Sequence, residues 1–318
     1  MEVRQGYKMT EVGVIPEDWG VGTIDQIALV TSGKRLPLGS SLVAHTTPHP
    51  YIRVTDMRPG TVSSSEIMFV PDSVFPSIKR YRIFSEDIFI SVAGSLGIVG
   101  KVPKELSGAN LTENADRITN IACSQDYLLH ILLSPLIQNT IASFQTAGAQ
   151  PKLALTRIRK FEIPLPGKPE QEKIAGAMGD VDALLGALER LIAKKRDLKQ
   201  AAMQQLLTGQ TRLPGFAGDW VSQSLGDIVS LFVGGGTPSR SKPEYWGGTI
   251  SWMTVKDFAT FDSSRTQESI TKKGLDNSAS SLILAGTLIT STRMALGKAV
   301  IYDIDVAINQ DLKALGAC

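Results

Sequence analysis

Cysteine, histidine and charge of one sign are all scarce in this chain, and each shortage removes a class of protein. The two cysteines, Cys123 and Cys318, form no CxxC pair, which excludes a disulfide scaffold and a cysteine zinc site. The three histidines, His45, His49 and His130, have no ligand spacing. His45 and His49 fall in a Thr/Pro stretch and are expected to be exposed, whereas His130 lies in a helical pattern and is expected to be packed. No metal site and no Ser/His/Asp set can be assembled. No apolar run approaches the roughly 18 residues of a membrane span. The opening from Met1 to Trp19 is too polar for a signal peptide. The expectation is a cytoplasmic chain without membrane contact.

Nucleotide and cofactor signatures are missing too. There is no Asn-Pro-Pro-Tyr-type motif, and no glycine fingerprint stands between a strand and a helix. Gly234-Gly235-Gly236-Thr237 is glycine-rich, but no Gly-Lys-Ser/Thr follows, so it is not a P-loop. The formal net charge is +2, with 33 basic and 31 acidic residues, so only a local basic face could attract a polyanion. Apolar content of 42% and charged content of 20% are those of an ordinary folded chain.

What is present is a repeat. Ile15-Pro16-Glu17-Asp18-Trp19 opens one segment and Phe216-Ala217-Gly218-Asp219-Trp220 another, the tryptophans 201 positions apart. At that offset Ile24 and Ile27 meet Leu225 and Ile228, Gly33 meets Gly234, and Tyr51 to Asp56 meets Trp252 to Asp257. At an offset of 200, Ile88 to Ser91 meets Leu288 to Ser291, and Leu96-Gly97 meets Leu296-Gly297. Such a register implies a duplicated domain. Each copy reads as α/β (α+β), with short strands at Tyr51–Val54, Ile88–Val92, Ser251–Val255 and Thr287–Thr292. In the first copy a helix is expected over Tyr127–Phe144, ending at a turn through Gly148, Gln150 and Pro151. A closing strand is expected at Phe161–Pro166, its prolines marking an edge.

Between the copies, Glu170–Leu207 reads as one helix, with Pro169 suited to its first turn and Gly209 to its stop. Ile174, Met178, Val181, Leu185, Leu188, Ile192 and Leu206 follow a 4-3 spacing, interrupted by Lys195 and Lys199. Leu184, Leu191 and Leu198 widen the stripe. A seam of that length wants a partner helix, and no second long helix is evident, so self-association into a symmetric dimer is expected. The boundaries expected are 1–167 for the first domain, 168–210 for the spacer and 211–318 for a second domain that lacks its closing elements.

Pro164-Leu165-Pro166, Pro169-Glu170-Gln171, Val181 to Leu184, the run Ala193 to Gly209, and Arg212 to Phe216 together resemble the central region of type I restriction–modification specificity subunits. Ile15 to Trp19 and Gly235-Gly236-Thr237-Pro238 resemble their target recognition domains. The resemblance implies a subunit without catalysis, in which each recognition domain reads half of a split site on double-stranded DNA. The spacer would set the gap and dock methyltransferase (modification) subunits. S-adenosylmethionine, ATP and Mg would then be bound by those subunits and by a restriction subunit, not by this chain.

A DNA reader needs cations for phosphates and planar donors or acceptors for base edges. In the first copy the candidates are Lys34, Arg35, Arg53, Thr55, Lys79, Arg80, Arg82, Ser95, Lys101, Gln150 and Lys152, several beside the Gly94, Gly97 and Gly100 turns. In the second they are Thr237, Arg240, Lys242, Lys256, Arg293 and Lys298. For any single cation a solvated surface charge explains the residue as well, and Asp56 and Asp257 suit turn caps. Two rival readings stay open: a coiled-coil adaptor without DNA affinity, and a fused methyltransferase or nuclease.

Overall fold

Turn residues cut the first part of the chain into short strands, eight of which form two four-stranded sheets. The computed structural model describes residues 3–144 and 152–317. Gly148, Gln150, Pro151 and Cys318 lie outside that range. The chain divides into two compact units, Met1–Gln200 and Ala201–Cys318.

In the first unit, β1 (Tyr7–Thr10) and β2 (Gly13–Pro16) form a hairpin. β3 (Gly20–Thr23) leads into α1 (Ile24–Ile27), a single turn capped by Gln26 Oε1, which accepts from the Thr23 N–H at 2.8 Å. There follow β4 (Leu29–Ser32), β5 (Pro50–Ile52), β6 (Met57–Arg58), β7 (Thr61–Val62), β8 (Met68–Phe69), α2 (Phe75–Ile78) and β9 (Arg82–Ile83). Next come β10 (Ile88–Ser91), β11 (Val99–Lys101), β12 (Ala109–Leu111) and β13 (Ala115–Thr119). One four-stranded sheet has the order β11-β10-β13-β4, the other β8-β5-β12-β9. β5 and β12 run parallel, with Ile52 opposite Leu111.

The single helix expected over Tyr127–Phe144 is two: α3 (Gln125–Leu133) and α4 (Pro135–Ser143). Pro135 has no N–H to continue α3 and forces Ser134 out of helical geometry, to φ −71° and ψ 158°. Both helices cover the first sheet, Leu128, Leu132 and Ile141 packing in one core with Val30, Ile90 and Ile118. α5 (Leu155–Arg159) adds Ile158 to that core, and β14 (Glu162–Leu165) pairs with β3 as an outer strand. The strand expected at Tyr51–Val54 is shorter, because Val54–Asp56 turns into a 3-10 helix.

α6 (Lys168–Leu207) is 40 residues long, about 60 Å at 1.5 Å per residue. Its first turns pack on the first unit. Buried Gln171 accepts from the Ser124 N–H at 2.9 Å and donates to the Pro166 carbonyl at 2.8 Å. Trp19 donates its indole N–H to Glu170 at 3.2 Å. Beyond Ala175 the seam is bare: Met178, Val181, Leu185, Leu188, Ile192 and Leu206 are all exposed, and Ile174 is half-buried. Gly209 stops the helix in the left-handed region, at φ 73°.

The second unit repeats the first. α7 (Leu225–Ile228) and β15 (Val229–Gly234) take the places of α1 and β4. β16 (Trp246–Met253), β17 (Glu268–Ile270), α8 (Lys272–Asp276) and β18 (Ser281–Ile283) follow, then β19 (Leu288–Ser291), β20 (Ala299–Ile301), β21 (Val306–Ile308) and β22 (Leu312–Ala317). The sheets have the orders β20-β19-β22-β15 and β17-β16-β21-β18, strand for strand those of the first unit. β16 and β21 form the parallel pair, with Met253 opposite Ile308. A bulge between Val229 and Leu231 adds one residue to β15. Gly33 therefore corresponds to Gly235, not to Gly234 as a constant offset implies. Among the described residues this unit has no counterpart of α3, α4, α5 or β14. Leu225, Phe232 and Leu288 are exposed where Ile24, Val30 and Ile88 are buried.

Candidate nucleic-acid interface

Each unit presses the loop after its first sheet strand against a three-residue turn. In the first unit the Lys34 N–H donates to the Leu111 carbonyl at 2.8 Å; in the second the Gly236 N–H donates to the Ile308 carbonyl at 3.1 Å. A Cβ on Gly33 would lie 2.1 Å from the Thr112 carbonyl oxygen, and one on Gly235 would lie 1.9 Å from that of Ile308. Only glycine allows this approach. It sets Arg35 beside Glu113, its Nε donating at 2.7 Å, and Thr237 beside Gln310, its hydroxyl donating at 2.6 Å. Burial alone would raise the Glu113 carboxyl, but the hydrogen bonds from Arg35, from backbone and from Thr112 bring it below the ordinary carboxylate value. Arg35 is raised in turn by the same hydrogen bond.

Beside this turn, Asp56 and Asp257 hold the 3-10 turns. Asp56 accepts from the Arg53 N–H at 2.8 Å and from its guanidinium at 3.0 and 2.6 Å, and Arg53 also donates to the Glu66 carbonyl at 2.8 Å. Asp257 accepts from the Thr254 N–H and the Gln267 N–H, each at 2.8 Å. Both aspartates are buried caps, and Arg53 is engaged inside the fold.

The other candidates of the first unit form one cluster and a scattered remainder. Lys34, Lys79, Arg80 and Arg82 gather near Tyr81, which Arg80 overlies at 4.9 Å and Lys34 at 5.9 Å. Arg80 also donates to the Tyr81 hydroxyl at 2.7 Å, and Arg82 to the Lys79 carbonyl at 3.1 Å. Thr55, Ser95 and Lys152 are exposed, and Lys101 is paired with Asp126. Gly94 and Gly97 are left-handed, at φ 78° and 77°, whereas Gly100 lies in β11. Gln150 lies outside the described residues. His45 is exposed and His130 half-buried as expected, but His49 is also half-buried, stacked on Phe75 with centroids 3.6 Å apart.

In the second unit, Thr237, Arg240, Glu268, Lys256, Met294 and Asp311 line one cleft of about 330 Å³. Arg240 lies 3.7 Å over the Trp246 ring and donates to both oxygens of Glu268, at 2.7 and 2.9 Å. Lys242 donates to the Tyr245 hydroxyl at 3.1 Å, and Arg293 stands 3.8 Å from Asp311. Lys256 and Lys298 are exposed. Sequence reasoning missed Glu113, Gln310, Glu268 and Trp246; the repeat register, once shifted past the shorter loop before β21, aligns the first two. Among the described residues no cluster of His, Cys, Asp and Glu could hold a metal, and no helix is long and apolar enough to cross a membrane.

Two units of like topology, each carrying a glycine-set polar turn, define a duplicated α/β architecture. Residues 16–197 match the type I restriction modification DNA specificity domain, and the chain belongs to that family. It is 26% identical over 261 residues to the putative type I restriction enzyme MjaX specificity subunit of Methanocaldococcus jannaschii, covering 74% of this chain and 59% of that protein. It is 25% identical over 183 residues to the EcoR124I/EcoR124II specificity subunit of Escherichia coli, covering 56% and 45%. The chain thus spans about half the length of these relatives, 59% of one and 45% of the other. The fold is shared with the S subunit of a type I restriction–modification system from M. genitalium, at a TM-score of 0.56 and 16% identity, covering 100% of this chain and 74% of that one. A chain solved in work on complex assembly and conformational transition of the type I R-M system aligns at 0.55 and 19% identity, covering 95% and 76%.

Proposed function

We propose that this chain is the sequence-reading component of a type I restriction–modification complex and carries no catalytic step itself. The observation that supports this best is the duplicated turn: one backbone frame, built twice, presenting Arg35 and Glu113 in one unit and Thr237 and Gln310 in the other. A reader of two different half-sites needs different polar groups on a shared frame. Each unit takes one half of a split double-stranded DNA site. The domain boundaries 1–167, 168–210 and 211–318 belong to the same reading, as does a cytoplasmic setting. Modification and restriction subunits bring S-adenosylmethionine, ATP and Mg.

The exposed seam of α6 favours a second element of this proposal. Its apolar stripe faces water on this chain, so it takes a helix of a modification subunit or of a second copy. The test is methylome sequencing of cells carrying the chain with its modification subunit. A bipartite motif is expected. Methylation at unrelated adenines overturns the reading, and salt-independent or absent DNA affinity favours the adaptor alternative.

A further inference from the structure

The three-residue turns Thr112–Asn114 and Asn309–Asp311 are the same structure with different readable groups. The Thr112 N–H donates to the Ile52 carbonyl at 3.1 Å and the Asn309 N–H to the Met253 carbonyl at 3.2 Å. The Val92 N–H takes the Asn114 carbonyl at 2.7 Å, and the Thr292 N–H takes that of Asp311 at 2.9 Å. Even the internal cap recurs: the Asn114 N–H donates to the Thr112 hydroxyl at 3.4 Å and the Asp311 N–H to Asn309 Oδ1 at 3.1 Å. The central residue of each turn is then joined to the loop beyond the glycine, Glu113 to Arg35 and Gln310 to Thr237. The Arg35 side chain is 78% exposed, and Gln310 is exposed.

We propose that this position is a base-reading site in both units: Arg35, held by Glu113, takes guanine in one half-site, and Gln310, held by Thr237, takes adenine in the other. Glu113 engages only the Nε of Arg35, and among the described residues no acceptor takes its terminal nitrogens. Those two donors match O6 and N7 of guanine in the major groove. Gln310 offers an amide donor and an acceptor to N7 and N6 of adenine, and its Oε1 keeps a second lone pair while Thr237 holds it. In both units the buttress fixes the reading side chain before DNA arrives. A loop fastening alone explains neither the exposure of the reading groups nor the change from an ionic to a neutral pair on an unchanged frame.

The inference rests on the DNA-reading function proposed above, and the wild type is its control. The experiment is methylome sequencing with the full chain and its modification subunit, comparing wild type, the double exchange Arg35→Thr with Glu113→Gln, and Arg35→Ala alone. If the wild type gives no bipartite motif, the functional reading itself fails. Given a bipartite motif, the double exchange is expected to replace one G·C pair of one half-site by A·T, leaving the other half-site intact. Arg35→Ala is expected to relax that same position, with about tenfold to a hundredfold lost discrimination against the wrong base. The single variant keeps the test decisive should the double exchange fail to assemble. An unchanged motif in Arg35→Ala, or methylation weakened equally at all sequences as for a phosphate contact, overturns the inference.

Discussion

At the scale of single residues, the groups that hold the frame are separable from those that face outward. Asp56 is buried and bonded three times by Arg53. Asp56→Ala leaves the Arg53 N–H and Nε without their acceptor and the guanidinium with the Glu66 carbonyl alone, so we expect a loss of about 1–3 kcal/mol, read from the denaturant midpoint. Asp116 behaves differently. Burial lifts its carboxyl above the ordinary value, against the opposing pull of Ser32, Lys152 and Arg159. A folded-state value above the unfolded one makes a contribution to stability that is complete at low pH and lost as pH rises through the raised value. Asp116→Asn should therefore gain stability relative to wild type as pH goes from about 4 to about 7. A difference that stays constant over that range would show that ionisation of Asp116 carries no cost.

At the scale of elements, the repeat and the long helix were legible because they rest on spacing, which survives sparse identity. Two features were not. The apolar positions Leu128, Ile131, Leu132, Leu136 and Ile141 keep a helical period straight across Ser134-Pro135, so periodicity hid a break that proline imposes. The bulge at Ser230 and the shorter connection before β21 shift the register of the second copy, so a single offset could not bring Glu113 and Gln310 together. The cations were legible only as residue types, since whether Arg53 faces water or Asp56 is decided by folding. The seam of α6 gives this scale its prediction. Leu185 and Ile192 are 54% and 50% exposed, so Leu185→Asp with Ile192→Asp should spare the fold of the first unit and abolish association through the helix. Light scattering at tens of micromolar checks this: a monomer in both wild type and variant, with modification-subunit binding also unchanged, removes the seam as a contact.

At the scale of the whole molecule, a net charge of +2 gives almost no long-range pull on a polyanion, so the proposed reading of DNA requires affinity from the local sets of cations. The logarithm of the binding constant should fall linearly with that of salt concentration, with a slope near −0.9 for each phosphate neutralised. The cations differ in how far they can contribute. Lys79 and Arg80 are exposed beside Tyr81, without a carboxylate partner among the described residues. Arg53 has its guanidinium on Asp56 and the Glu66 carbonyl. Lys79→Ala and Arg80→Ala should each reduce the slope by about one and weaken all duplexes alike. Arg53→Ala should leave the slope unchanged and lower stability instead, because its positive charge is already compensated within the fold. Fluorescence anisotropy of a labelled duplex across a salt series separates these cases. A slope that is insensitive to Lys79 and Arg80 yet falls with Arg53 would mean that the Tyr81 cluster lies off the DNA path and that the Asp56 pair opens on binding.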